Sequence, residues 1–249
     1  MKMDYQQLHQ IQHVPQNQTL LAIEEGDKEQ EAFHRQLKEA GQAVIEQVKK
    51  EGKYAIVLAA RPYQNDALVN HDLPDMFVKL GIPVLTADSI PEINDVYLKN
   101  SRLDVVNNYH ARMLSSAILA AEKQYLEYVQ LVSFGCGHDA YLSDEIIRMM
   151  DEISGKVPLI LKVDESDIQG PLGIRVRSFV ETINMRRKIG KTQEIHELTD
   201  PYLVKYTKKD RKQKTVLAPN TSHAFSQILS AVLCTQNVKA VPLEIGRKC

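Results

Sequence analysis

Short runs of consecutive apolar residues alternate along the chain with longer stretches in which apolar residues recur at helical spacing. Most of the short runs are apolar on both faces, which is typical of strands that lie inside a parallel sheet. They predict strands at residues 54–60, 82–86, 128–134, 157–163, 214–218 and 238–243. The longer stretches predict amphipathic helices at residues 27–50, 73–80, 103–124, 141–153, 170–187 and 222–233.

This alternation predicts the fold class. A strand, a helix and a second parallel strand form a right-handed βαβ unit. We therefore expect an α/β fold with a doubly wound, mostly parallel, Rossmann-like sheet and helices on both faces. The runs 54–60, 128–134 and 157–163 are predicted to be interior strands, because only double coverage buries a strand that is apolar throughout.

The same pattern divides the chain. Residues 1–52 are predicted to form a lead-in and first helix, 53–190 an α/β domain, 191–212 a charged linker, and 213–249 the start of a further βαβ unit. The sequence stops soon after the last predicted strand, which favours a fragment of a longer chain.

Charge, apolar content and cysteine spacing argue against some classes of partner. The formal net charge is -1 and no basic cluster is interleaved with aromatic residues, so no nucleic-acid partner is expected. No apolar run has the length of a membrane span, and the N-terminus lacks the apolar core of a signal peptide. We therefore expect a cytoplasmic protein without a membrane partner. Cys136, Cys234 and Cys249 form no C-x-x-C pair, and reduced thiols are expected.

The central predicted strand joins the next helix through Gly135-Cys136-Gly137. Glycine on either side lets the backbone turn sharply, and ligands of open α/β sheets bind at the carboxyl ends of the strands. Cys136 is therefore a candidate functional thiol. The residues alone leave open the alternative that Cys136 is a buried residue that fills space below the turn.

Polar residues also follow two other predicted strands. Arg61, Tyr63 and Asn65 come after the first strand, and Asp164 opens an acidic turn after the fourth. Because parallel strands end at the same edge, Arg61, Cys136 and Asp164 should face one rim. Tyr63, Asn65 and Asp164 should line a cleft beside the thiol, and together with Arg61 they are the candidate cofactor-binding residues. A solvated loop and a plain acidic turn remain open as alternatives.

Common catalytic and nucleotide-binding motifs are absent from the sequence. It lacks G-x-G-x-x-G after the first strand, and also G-x-x-x-x-G-K-[ST], G-x-S-x-G and H-E-x-x-H. No catalytic residue is therefore assigned. Cys234 is in register with the apolar positions Ile228 and Val232 of a predicted helix, and we expect it to be a buried structural residue.

Four segments occur in the order RPYQNDALVNHDLPDMF, PVLTADSI, LVSFGCGHDAYLSDEI and LILKVDESDIQGPLGIRVRSFVETI. In order and spacing they resemble the C-terminal part of the large activase-related proteins of the 2-hydroxyacyl-CoA dehydratase system. These long forms join an activator of (R)-2-hydroxyglutaryl-CoA dehydratase to a dehydratase-like region. The resemblance covers residues 20–220 approximately.

The resemblance implies a cofactor and partners. In that family a [4Fe-4S] cluster is held by cysteines from separate strand ends, and Cys136 matches the cysteine of the SFGC segment. The implied partners are an activator or ATPase domain or dehydratase subunits, and an acyl-CoA remains open as a ligand. The chain departs from the family at Gln64, where histidine is usual, and at Ala67, where proline is common.

The resemblance assigns only one cluster ligand to this chain. The segments around Cys234 and Cys249 do not match the other ligands of the family. Because a cubane needs several converging thiolates, we expect the [4Fe-4S] cluster in the full-length parent and not in this chain alone. The chain by itself is expected to be catalytically silent.

Three functions are compatible with these observations. The first is a redox module in which Cys136 is a thiolate ligand for ATP-driven electron transfer towards 2-hydroxyacyl-CoA dehydration. The second is a non-catalytic scaffold or docking domain of dehydratase-like fold, without a cluster. The third is an enzyme with Cys136 as nucleophile and His138 or His71 as base, for which the sequence offers no orienting carboxylate.

Overall fold

The computed structural model describes residues 15–98, 100–103, 105, 107–133, 137–163, 169–190, 194–199 and 206–243. The chain divides into two compact units, Met1–Thr199 and Asp200–Cys249, and each is described by itself. The elements of the first unit are α1 (Gln16–Lys50), β1 (Ala55–Ala59), α2 (Ala67–Asn70), α3 (Leu73–Val78), β2 (Val84–Thr86), α4 (Asn108–Glu122), β3 (Leu126–Ser133), α5 (Gly137–Ser154), β4 (Leu159–Val163) and α6 (Gln169–Lys188). Short 3-10 turns occur at Pro62–Asn65, Ala87–Ser89 and Pro91–Asn94.

Strands β1 to β4 form an all-parallel sheet in the order β2-β1-β3-β4. Alternate residues of β1 point to opposite faces, so Val57 packs with α1, α4 and α5, whereas Ile56 packs with α3 and α6. The predicted α/β class, the parallel pairing and the helices on both faces are therefore confirmed. The predicted interior positions of β1 and β3 are confirmed too, because each has a hydrogen-bonded neighbour on both sides.

The prediction that residues 157–163 form an interior strand is wrong. Among the strands that the structure describes, β4 pairs only with β3 and lies at the edge of the sheet. Leu161 is buried against α6, but Lys162 points outward and Val157, before the strand, is 67% exposed. An outward lysine is a common feature of edge strands, because its charge discourages pairing with another chain.

Three helix starts differ from the sequence-based expectation. Helix α1 begins at Gln16, within the predicted lead-in. Helix α4 begins at Asn108 rather than residue 103, because the side chain of Asn107 caps it. Helix α5 begins at Gly137 rather than residue 141, so Asp139 lies inside its first turn. No helix in the described part of the chain is both long and apolar enough to cross a bilayer.

Glu145 on α5 organises the loop before α4. Its carboxylate accepts hydrogen bonds from the backbone N and Nε of Arg102, at 2.8 and 2.6 Å, and from Nε and Nη2 of Arg148, at 3.1 and 2.8 Å. The side chain is 1% exposed. Burial alone would raise the pKa of Glu145, but the hydrogen bonds from Arg148 and Arg102 outweigh it and lower the pKa to about 2.

We therefore expect acid to weaken the first unit through Glu145. The folded pKa lies below the ordinary value of 4.5, so the ionised carboxylate stabilises the fold above that pH, and the contribution is lost as the pH falls towards about 2. The loss should be on the order of 3 kcal/mol in the free energy of unfolding. Urea unfolding at a series of pH values should give a flatter acid limb for Glu145→Gln, and parallel curves for the two proteins would contradict this assignment.

The second unit contains α7 (Asp210–Gln213), β5 (Val216–Ala218), α8 (His223–Thr235) and β6 (Ala240–Pro242). The two strands pair in parallel, with Leu217 opposite Val241. Helix α8 buries Ser226 and Ser230, whereas its apolar stripe of Phe225, Ile228 and Val232 is more than half exposed, at 52%, 64% and 54%. The inward face of the helix therefore carries these two serines together with the half-buried Leu229 and Leu233.

Cys234 is exposed, so the prediction that it is a buried structural residue is wrong. The prediction assumed that the apolar stripe of the helix faces a core, but the buried face carries serines instead. We expect N-ethylmaleimide to label Cys234 in the native protein almost as fast as in urea, because no opening of the fold is required. Mass spectrometry after brief labelling measures this, and modification that waits for denaturation would contradict the exposed position.

Candidate functional site

The carboxyl ends of β1 and β3 lie where the strand order of the sheet reverses. From β1 the chain goes to β2 on one side, and it later returns to β3 and β4 on the other side of β1. In doubly wound sheets the connections diverge at this switch point, and ligands bind in the crevice that opens there. The residues that follow β1 and β3 therefore form the candidate site, which we call the switch-point crevice.

Arg61 and Asp139 join the two sides of this crevice. Nη2 of Arg61 lies 2.6 Å from Oδ1 of Asp139, and the side chains are 20% and 6% exposed. The other carboxylate oxygen, Oδ2, accepts a hydrogen bond of 2.9 Å from the backbone N of Ser133. One carboxylate thus ties the end of β3 to the first turn of α5 and to the loop after β1.

Ser133 and Gln64 form a second connection across the crevice. The Ser133 hydroxyl lies 3.0 Å from the Tyr63 hydroxyl and accepts a hydrogen bond of 3.2 Å from Nε2 of Gln64. Oε1 of Gln64 accepts from the backbone N of Arg61 at 2.8 Å. Gln64 is only 4% exposed. Gln64 therefore connects the loop after β1 to the end of β3.

The structure describes three of the five predicted site residues. Arg61 and Tyr63 contact the crevice, and Asn65 is exposed at the end of the 3-10 turn that follows β1. Cys136 and Asp164 lie outside the described residues. Strands β1, β3 and β4 are parallel and end at the same edge, but the shared rim of Arg61, Cys136 and Asp164 stays a prediction.

Sequence reasoning did not identify Gln64, Ser133 or Asp139 as parts of the site. The ion pair of Asp139 with Arg61 spans 78 positions of the chain. No local pattern reveals such a pair. The one available signal is that both residues closely follow predicted interior strands, so parallel pairing brings them to the same edge.

Two histidine rings lie beside the ion pair. His110 belongs to the first turn of α4, and its ring centroid is 5.8 Å from that of His138 in the first turn of α5. Burial lowers the pKa of His110, the charges of Arg61 and His138 lower it further, and Asp139 opposes them. His110 is therefore neutral near pH 7. His71, the other histidine considered as a base, adopts a left-handed conformation with φ 54° in the turn between α2 and α3.

The side chains that could act as metal ligands show whether the described residues can hold an iron-sulfur cluster. In the described ranges, no three His, Cys, Asp or Glu side chains are grouped so that they could hold a metal ion. Cys234, the free cysteine that the structure describes, belongs to the second unit. A [4Fe-4S] cluster bound by protein thiolates needs several of them. The described residues therefore do not form a complete cluster site.

A cavity of about 450 Å³ lies at the opposite edge of the sheet, where β1 and β3 begin. The arginines that line it are engaged in holding the fold together. Arg186 pairs with Glu127, and Arg187 donates hydrogen bonds to the backbone O atoms of Gln124 and Gly52 at 3.0 and 2.8 Å. Because these guanidinium groups already bind protein acceptors, we assign them a structural role.

Comparison with known proteins identifies one relationship. Residues 1–90 match the family model described as the CoA enzyme activase uncharacterised domain (DUF2229). The match includes α1, β1 and the loop with Arg61 and Tyr63, but it ends before Ser133 and Asp139. No curated protein and no solved structure matches the chain. Residues 1–90 are therefore similar to a domain of CoA enzyme activase proteins.

Proposed function

We propose that this chain is a dehydratase-like α/β module of an activase-related protein, in which Cys136 supplies one thiolate ligand to an iron-sulfur site. In the parent protein this site serves ATP-driven electron transfer towards the dehydration of a 2-hydroxyacyl-CoA. The similarity of residues 1–90 to a domain of CoA enzyme activase proteins supports the assignment to this system. The switch-point crevice supports the location.

The observation that carries the proposal is the double anchor at Asp139. Its carboxylate binds the backbone N of Ser133 on one side of the Cys136 segment and belongs to α5 on the other side. Arg61 holds the same carboxylate from the loop after β1. Thiolate ligands must converge at bonding distance from the metal, and an anchor on each side of the segment limits where its cysteine can lie.

The electrostatics of the crevice also suit a thiolate. Cys136 immediately precedes the first residue of α5, and the positive end of a helix dipole favours negative charge there. The chain has only two other cysteines, Cys234 and Cys249, and the segments around them do not match the family's other ligands, so in this proposal the remaining thiolates come from the rest of the parent protein or from a partner. An activator domain or a dehydratase subunit is the partner that the family resemblance implies.

Anaerobic reconstitution of the parent protein together with its partner tests this proposal. Iron and acid-labile sulfide content and the electron paramagnetic resonance spectrum of the reduced sample are measured for wild type, Cys136→Ser and Cys234→Ser. Cys234 is the matched control, because it is an exposed cysteine in the other compact unit. We expect wild type and Cys234→Ser to form the same cluster and Cys136→Ser to lose it. An unchanged spectrum and iron content in Cys136→Ser would contradict the proposal.

A scaffold function is the second candidate, and one observation favours it. Phe225, Ile228 and Val232 form an exposed apolar stripe on α8, and exposed apolar patches often mark protein contacts. If docking is the function, Ile228→Lys should abolish co-purification with the dehydratase subunits, whereas Cys136→Ser should leave both co-purification and dehydratase activation unchanged. Loss of activation in Cys136→Ser, with co-purification intact, would favour the redox module.

A further inference from the structure

A histidine with a fixed tautomer lies at the start of α4. Oδ1 of Asn107 accepts a hydrogen bond of 2.9 Å from the backbone N of His110, which is the usual contact of an N-cap residue. This contact fixes the orientation of the amide, so its Nδ2 lies 3.0 Å from Nδ1 of His110. Because an amide nitrogen only donates, Nδ1 accepts and the proton of the neutral ring is on Nε2.

The N–H group at Nε2 of His110 is buried and makes no hydrogen bond. A buried donor without an acceptor is unfavourable, because it has lost its bond to water and gained nothing in return. Such groups are therefore uncommon in folded proteins, and we take this one, beside the His138 ring, as an indication that an acceptor binds there.

The surroundings of His110 favour a negatively charged acceptor. Burial lowers the pKa of the ring, and the guanidinium group of Arg61 lowers it further, against the effect of Asp139. The ring therefore stays neutral and offers a single donor. The first turns of α4 and α5, where His110 and His138 lie, carry the positive ends of two helix dipoles.

We propose that Nε2 of His110 donates a hydrogen bond to an oxygen atom of a small anion, a carboxylate or a phosphate, in the switch-point crevice beside the first turns of α4 and α5. The ligand is an acceptor at this position, since the ring presents only an N–H group. The proposal rests neither on Cys136 nor on a cluster. Anion binding and cluster assembly can fail independently of each other.

Nitrogen-15 NMR of the imidazole rings in the whole chain tests the proposal, with sodium propionate and sodium phosphate as separate probes at about pH 8, where an unperturbed histidine is neutral. We expect the Nε2–H tautomer at His110 and a saturable shift of its Nε2 signal with at least one probe. A response to propionate alone identifies a carboxylate, and a response to phosphate alone identifies a phosphate. No saturable shift with either probe, or an Nδ1–H tautomer, would overturn the proposal.

Substitution of the ring provides the affinity test. His110→Phe should weaken binding of the responding probe by roughly 10- to 100-fold, the effect of losing one hydrogen bond to a charged group. His34→Phe is the matched control, because His34 is exposed on α1. Equal affinity of His110→Phe and His34→Phe would contradict the assignment.

Asn107→Asp keeps the helix cap but reverses the tautomer, because a carboxylate accepts the proton of Nδ1 and leaves a lone pair on Nε2. At about pH 9, where the ring is neutral, this variant should unfold at the same temperature as wild type and lose the anion. Asn108→Asp adds the same charge at the next, exposed position without touching Nδ1 and should lose much less affinity. Equal losses in the two variants would show that charge, and not the Nε2 donor, controls binding.

Discussion

Asp139→Asn should lower the free energy of unfolding by roughly 3 kcal/mol, the lower end of the range for breaking a buried ion pair. The variant keeps an oxygen for the backbone N of Ser133, but it leaves the guanidinium group of Arg61, which is 20% exposed, without its negative partner. The loss should appear in urea unfolding followed by circular dichroism.

A double-mutant cycle with Arg61→Met measures the interaction energy between Arg61 and Asp139. We expect the double variant to be more stable than Asp139→Asn alone, because it also removes the positive charge that Asp139 balances in the wild-type protein. Arg112→Met is the control, since Arg112 pairs with Asp88 at 2.7 Å but both side chains are about a third exposed. It should cost less than about 1 kcal/mol. A similar small loss for Asp139→Asn would contradict the role of this carboxylate as the anchor of the crevice.

Lys156→Met should destabilise the first unit by roughly 3 to 5 kcal/mol, because two buried carbonyl groups and one partly buried carbonyl group would lose the ammonium group that binds them. The Nζ atom of Lys156 donates to the backbone O atoms of Ala120, Lys123 and Leu126 at 2.7, 2.8 and 2.8 Å, and its side chain is fully buried. These bonds join the C-terminal end of α4 to the start of β3. Methionine fills a similar volume but cannot donate.

The pH dependence of the free energy of unfolding provides a second test of the role of Lys156. Burial lowers the pKa of Lys156 to about 8, against the attraction of Glu127. The unfolded chain, with an ordinary value of 10.5, therefore binds more protons between these two values, and the contribution of Lys156 to stability rises with pH across that window. The rise should be missing in Lys156→Met. Lys123→Met, which removes a partly exposed lysine paired with Glu92, should leave both the stability and its pH dependence nearly unchanged. Equal stabilities of the two variants would contradict the structural role of Lys156.

The interior strands β1 and β3 could be predicted because the apolar pattern that requires cover on both faces lies within each strand. Every residue of β1 is buried, and a strand that is apolar throughout needs cover on both faces. The same rule predicted that residues 157–163 form an interior strand. The residues of a strand do not determine, however, whether a second strand pairs with its other edge. Only the lysine at position 162 indicated an edge.

The side chains that hold the crevice were less predictable than its position. The sequence placed Arg61, Tyr63 and Asn65 after β1, because strand ends can be read from the pattern. It did not pair Arg61 with Asp139, since that contact depends on which strands are neighbours. Cys234 was misassigned for a related reason: an amphipathic pattern shows which residues share a face, but not whether a partner covers that face.

The accessibility of Cys136 in the native protein is the most direct test of the account. In a chain with Cys234→Ser and Cys249→Ser, iodoacetamide should modify Cys136 at a rate close to the rate in urea, because the residue is expected at an open switch-point crevice. Mass spectrometry over a time course measures both rates. Modification that is at least about a hundredfold slower in the native protein, as expected for a thiol that reacts only when the fold opens, would place Cys136 in the core and contradict the account.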